Sequence, residues 1–211
     1  MKYLLALYLL ISSTHALGKT LNVMDTPKNL ILNLSGIISG STVNPLINSL
    51  DHLSSNNIPK RIILLIDTEG GEVVEGHHLI AAMNLATARN TAIDCVIGRK
   101  AYSMGVALLP HCSKIYALKH SVIMFHSIRE RTLTPVSVSF LIQTLFSFKI
   151  LGDELERKLQ ISMGISKDKY ERLRDMELFY PAVEFDRQFP NFITIVDNVL
   201  LPQGIYLLGS P

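Results

Sequence analysis

GRKAYSMGVALLPHCSKIYALKHSVIMFHSIR, residues 98–129, is the stretch around which the chain is organised. It sets a serine, Ser103, before Met-Gly and a run of small and apolar residues. Two short β-like runs follow, the second ending in His126. Serine hydroxyl is a weak nucleophile until a neighbouring base takes its proton, so the order serine then histidine points to a nucleophile and its base. Upstream, IILLIDTEGGEVVEGHHLIAAMNLA, residues 62–86, carries a continuous apolar run into a Gly-Gly pair and then a helical pattern. A run apolar at every position predicts a strand covered on both faces, and so a layered α/β core.

Composition bounds the rest. A chain of 211 residues, 48% hydrophobic and 18% charged, is long enough for one domain with a substantial core. The net charge is +2, and neither a basic block nor aromatic-basic interleaving argues for a nucleic-acid partner. Residues 1–16 have the layout of a secretory signal peptide: one early lysine, a short apolar run, then small residues ending at Ala16. That run falls short of the roughly 20 apolar residues a bilayer span needs, so no stable membrane anchor is expected. The expected location is periplasmic or secreted, with residues 17–28 as an N-terminal arm and residues 29–211 as the domain. An exported compartment permits a disulfide between Cys95 and Cys112, which a rising strand and a descending helix return to the same end. Two buried free thiols are the alternative reading.

Along the chain, residues 29–39 read as a strand ended by Gly36, and residues 44–55 as a helix capped by Ser41-Thr42. Residues 61–67 and 91–98 read as buried strands, with a Gly-Gly turn leading into a helix over residues 72–89. Residues 103–111 read as a helix, 114–118 and 122–126 as strands, and 193–200 as a closing strand. Residues 135–161 form one long helical stretch, and residues 136–151 are apolar almost all round. A helix apolar on every face is buried on more than one side, so self-association is expected.

The Gly70-Gly71 pair, the segment from Gly98 through Ser103 to Gly105, and Met124-Phe125-His126 together resemble the Clp (caseinolytic) protease proteolytic subunit family over about residues 30–200. The resemblance implies a Clp/crotonase-like spiral of repeated ββα units with a long handle helix that packs subunits into rings. It implies a serine endopeptidase acting on peptides or unfolded segments through an acyl-enzyme, with no cofactor. Ser103 would be the nucleophile, His126 the general base, and the amides of Gly71 and Met104 the oxyanion donors. His126 is preferred over His77, His78, His111 and His120 only through this match. The family's aspartate lies two residues before a phenylalanine, and registering on Phe179 places Glu177 there, with Asp175 the alternative. An ATP-driven unfoldase partner is not expected outside the cytoplasm.

The sequence departs from the family pattern at several points. Glu69 stands where a proline usually precedes Gly-Gly, the segment from Gly98 to Ser103 is one residue longer, and Ser-Ile follows His126. Lys100, three residues before Ser103, raises a Ser-Lys dyad as in the related signal-peptide peptidases. A decayed Clp-fold binding module is the non-enzymatic alternative. Acyl-thioester chemistry of the wider crotonase group is a third, against which Ser-Met-Gly and the histidine argue.

Overall fold

A computed structural model describes residues 19–22, 29–52, 61–127, 138–201 and 204–206. The expected signal peptide, residues 1–16, lies outside them. The apolar run becomes β3 (Arg61–Gly71), which pairs in parallel with β2 (Asn29–Ile38) on one side and β4 (Ala92–Tyr102) on the other. The sheet continues through β5 (Lys114–Leu118) to β8 (Thr194–Val196), again in parallel. β4 also pairs in parallel with β6 (Val122–Met124), whose other edge takes β7 (Phe179–Pro181) antiparallel. This parallel-rich sheet, with six α-helices among the described residues, is the expected mixed α/β architecture.

The two-sided burial expected of β3 follows from the strand's period of two. Ile62, Leu64 and Ile66 face the main core, where Leu79 and Met83 of α2 (Val73–Ala88) and Val43 of α1 (Gly40–His52) meet them. Ile63 and Leu65 face a second cluster with Val96, Leu118 and Val199. A small sheet of β1 (Thr20–Asn22), β9 (Asn198–Leu201) and β10 (Gly204–Tyr206) contributes Leu21 and Val199 to that second cover. The N-terminal arm is therefore a strand where it is described, paired in parallel with β9.

Several boundaries differ from expectation for local reasons. Gly36 does not end its strand: at φ 79° it lies opposite a bulge whose extra residue is Glu69 of β3, and pairing continues at Ile37 and Ile38. The first helix is capped two residues earlier than Ser41-Thr42, because the Ser39 carbonyl accepts from the Thr42 and Val43 amides while Thr42 Oγ1 accepts from the Ser39 amide at 3.0 Å. Residues 103–111 split into α3 (Met104–Ala107) and a 3-10 turn (Leu109–His111), since Pro110 has no amide to continue an α-helical ladder. The closing strand is two strands in two sheets, β8 and β9.

Two helices close the structure over the end of β6. α4 (Val138–Ser162) buries Leu155, Leu159 and Met163 of its second half and the turn after it, and α5 (Lys167–Asp175) buries Tyr170. The α5 start was legible, with Ser166 accepting from the Lys169 amide. The side chains of residues 138–148, on which the all-round apolar reading of the long helix rests, lie outside the described set. Cys95 and Cys112 are bridged, with Cα atoms 5.8 Å apart, as the returning strand and helix allow.

α4 is tied to the 3-10 turn by Lys158, whose Nζ lies 2.9 Å from His111 Nδ1, with Asn84 Oδ1 of α2 also at 2.9 Å. Burial first, then the charge of Lys158 and the neighbouring His77, push the His111 imidazole down to about 4. Its folded value lies below its unfolded one, so acid protonates the unfolded chain preferentially. The melting temperature should be highest above the ordinary histidine range and fall as pH drops from 6.5 toward 4. His111→Gln should flatten that fall in a thermal-melt series.

Candidate functional site

Ser103 sits between the end of β4 and the start of α3 at φ 51°, ψ −118°. That is a strained conformation for a residue with a Cβ, and it persists only where neighbours impose it. They do so at its amide and at its carbonyl. The Ser103 amide donates to the Met124 carbonyl of β6 at 2.8 Å, and the Ser103 carbonyl accepts from the Val106 and Ala107 amides at 3.0 and 3.3 Å. A sharp strand-to-helix turn of this kind projects the serine hydroxyl out of the sheet, as in nucleophile elbows. The residues after it have separate packing reasons. Met104 is buried against Gly76 of α2, where an added Cβ would lie 2.4 Å from Met104 Cε, and at Gly105 a Cβ would lie 2.5 Å from Thr68 Cγ2.

The Gly-Gly pair is not the expected turn. β3 continues through Gly71, paired with Ile38, and the helix starts only at Val73. Gly70 has φ 86° and Gly71 φ 150°, both unsuited to residues with a side chain. A Cβ on Gly70 would lie 2.6 Å from the Tyr102 carbonyl, 2.7 Å from Ser103 Cβ and 3.0 Å from the Met104 amide nitrogen. The strand end therefore lies directly against the serine turn. Thr68 fixes it there, accepting from the Gly70 amide at 3.0 Å and donating to the Gly36 carbonyl at 2.5 Å.

His126 follows β6, next to a buried anchor. Phe125 stacks on Tyr170 at 5.7 Å and on Tyr180 at 6.2 Å, and the alternation of an extended segment turns its neighbour away from that stack. His126 Nδ1 donates to the Ser127 carbonyl at 2.5 Å, which leaves the Nε2 lone pair available as an acceptor. Gly71, Ser103, Met104 and His126 line one cleft, walled by Leu155 and Leu159 of α4 and Tyr170 of α5. Among the described residues no other histidine lines it. Among the described residues no hydrogen bond joins Ser103 to His126 directly; such bonds are often long before substrate arrives.

Neither carboxylate candidate lines the cleft. Asp175 is exposed at the end of α5, and its Oδ1 accepts from Ser127 Oγ at 3.3 Å, one residue from His126. Glu177 is exposed at φ 48°, two residues before Phe179, whose ring meets Tyr102 edge-on at 5.3 Å. Lys100, offered as a dyad base, points to Glu69 instead. The hydrogen bond from the ammonium to that carboxylate holds Lys100 above its ordinary value, whereas a base must be neutral. Among the described residues no group of three or more His, Cys, Asp or Glu is placed to hold a metal ion.

Sequence reasoning did not find the cleft's α4 and α5 walls. Glu156 lines it as well, paired with Arg174, and burial pushes the Glu156 carboxyl up against that cation's pull. The available signal was Leu155 and Leu159 at four-residue spacing, which marks the inward face of a helix whose first half drew attention to assembly instead.

No curated protein matches the chain. The model of the Clp protease family matches residues 19–175, which takes in the Gly-Gly strand, the serine turn, His126 and Asp175. Covering well over half of the sequence and the elements that build the cleft, that match makes the chain a member of the Clp protease family.

Proposed function

We propose that this protein is a serine endopeptidase that hydrolyses peptides or unfolded segments. Ser103 attacks the scissile carbonyl, His126 Nε2 takes the hydroxyl proton and returns it to the leaving amine, and an acyl-enzyme is released by water. The amides of Gly71 and Met104 receive the oxyanion. The observation that carries this reading is the strained Ser103 turn opening into the same cleft as His126, with the Gly70-Gly71 backbone packed against it. A strained serine at a sharp strand-to-helix turn is the geometry of a nucleophile elbow.

For the acid, the motif register favours Glu177 and the described contacts favour Asp175 through Ser127. The Cys95–Cys112 bridge supports an oxidising, exported location, where small peptides or already unfolded chains are the natural substrates. The ion pair of Lys100 with Glu69 counts against a Ser-Lys mechanism.

The test is hydrolysis of a broad peptide library by the wild type and single variants. Ser103→Ala should abolish turnover, and His126→Ala should reduce it by orders of magnitude. Amide replacement of the true acid should cost about 10⁴ in turnover, as it does in other triads. Glu177→Gln alone showing that loss assigns Glu177, and Asp175→Asn alone assigns Asp175. A Ser103→Ala variant as active as wild type would overturn the peptidase reading in favour of a binding module.

We also propose self-association through α4. Ile150 and Ile161 are more than half exposed on it, at 52% and 59%, and a spacing of eleven residues sets both on one face that a second copy would cover. Sedimentation velocity at micromolar concentration should give an oligomer that Ile150→Glu weakens; a monomeric wild type would contradict it.

A further inference from the structure

Two departures from the family pattern, the acidic residue before Gly-Gly and the lengthened segment before the serine, meet in space. Against β2 the pairing passes from Gly36↔Thr68 to Ile37↔Gly70, so Glu69 is the extra residue of a bulge on β3, two residues after Asp67. On β4 the pairing passes from Ile66↔Ile97 to Thr68↔Ala101, so β3 advances two residues while β4 advances four. The surplus is taken up as a bulge across residues 98–100, where β4 also changes neighbour from β5 to β6. A regular strand would send Arg99 and Lys100 to opposite faces. With both strands bulged here, each basic residue meets an acidic one: Arg99 donates to Asp67 Oδ2 through Nε and a terminal nitrogen at 2.8 and 2.6 Å, and Lys100 pairs with Glu69.

The pair sits at both ends of the contact that builds the site. Glu69 precedes Gly70-Gly71, and Lys100 lies three residues before Ser103. The glycines have no side chains with which to anchor themselves, and Glu69 leaves φ freer than a proline would. We propose that Glu69 and Lys100 are positioning residues, an ionic clamp that holds the Gly70-Gly71 backbone against the Ser103 turn and so keeps the oxyanion donors aligned with the nucleophile. Its catalytic consequence rests on the peptidase reading above; its mechanical consequence does not. The hydrogen bond with Lys100 holds the Glu69 carboxyl below its usual range, so the clamp is charged at neutral pH.

Two measurements on the full chain test it: the rate at which a fluorophosphonate modifies Ser103, and amide hydrogen exchange in residues 66–74 and 98–106. Glu69→Gln and Lys100→Met should each slow modification about two- to fivefold, the range of a partly exposed ion pair, with little change in melting temperature. The double variant should be no slower than either single, and the charge swap Glu69→Lys with Lys100→Glu should recover most of the rate. Exchange should quicken in both segments in each single variant and return in the swap. Singles that label and exchange like wild type overturn the clamp. If wild-type protein takes no label, the peptidase reading fails, and exchange alone decides: unchanged exchange in the variants overturns the clamp, and faster exchange in both segments upholds it.

Discussion

The end of β3 lies against the start of α3 at a separation that no side chain could occupy. A Cβ at Gly70 would come within 2.6 to 3.0 Å of Tyr102, Ser103 and Met104, so the backbone of one strand touches the turn at the end of the next. Much else in the fold serves this approach. Thr68 tethers the strand end to β2, the Met124 carbonyl holds the serine amide, and Gly76 and Gly105 let α2, α3 and β3 close around Met104 and Thr68. Removing side chains from a contact deprives it of packing energy, so the positions of its backbone groups must be secured by neighbours.

Those neighbours come from distant parts of the chain. The Cys95–Cys112 bridge closes a loop that contains the bulge, Ser103 and α3, restricting how far the serine turn can open. The stack of Phe125 between Tyr170 and Tyr180 draws α5 and β7 against the end of β6, so His126 leaves an extended segment whose preceding residue is fixed in the core. α4 then completes the cleft with Leu155 and Leu159 while Lys158 ties it to the 3-10 turn at His111. Ser103, His126 and the cleft wall are thus coupled through the core as well as through the sheet.

The unbroken apolar run of residues 62–66 made the two-sided sheet legible in the sequence, because alternate side chains of a strand must enter opposite covers. Ser103, His126, Gly71 and Met104 were legible as a set through motif order, and they do line one cleft. What the sequence hid depended on φ angles and register. Gly-Gly reads as a turn by composition, yet at φ 86° and 150° it extends β3. The bulge over residues 98–100 and the one at Glu69 carry no composition signal of their own, and it is there that Lys100 pairs with Glu69. The acid was hidden for a related reason: Glu177 and Asp175 differ by two residues of irregular backbone after α5, where no period relates sequence spacing to direction.

A crystal structure with a peptidyl boronate tests most directly the claim that this contact is an oxyanion site facing a nucleophile. Boron mimics the tetrahedral intermediate when a serine oxygen adds to it, and donors aimed at the oxyanion should lie 2.7–3.1 Å from one boronate oxygen. The expected result is a bond from Ser103 Oγ to boron, with one boronate oxygen accepting from the Gly71 and Met104 amides and another near His126 Nε2. Boronate bound elsewhere, or bound to Ser103 with its oxygens turned away from both amides, would contradict it.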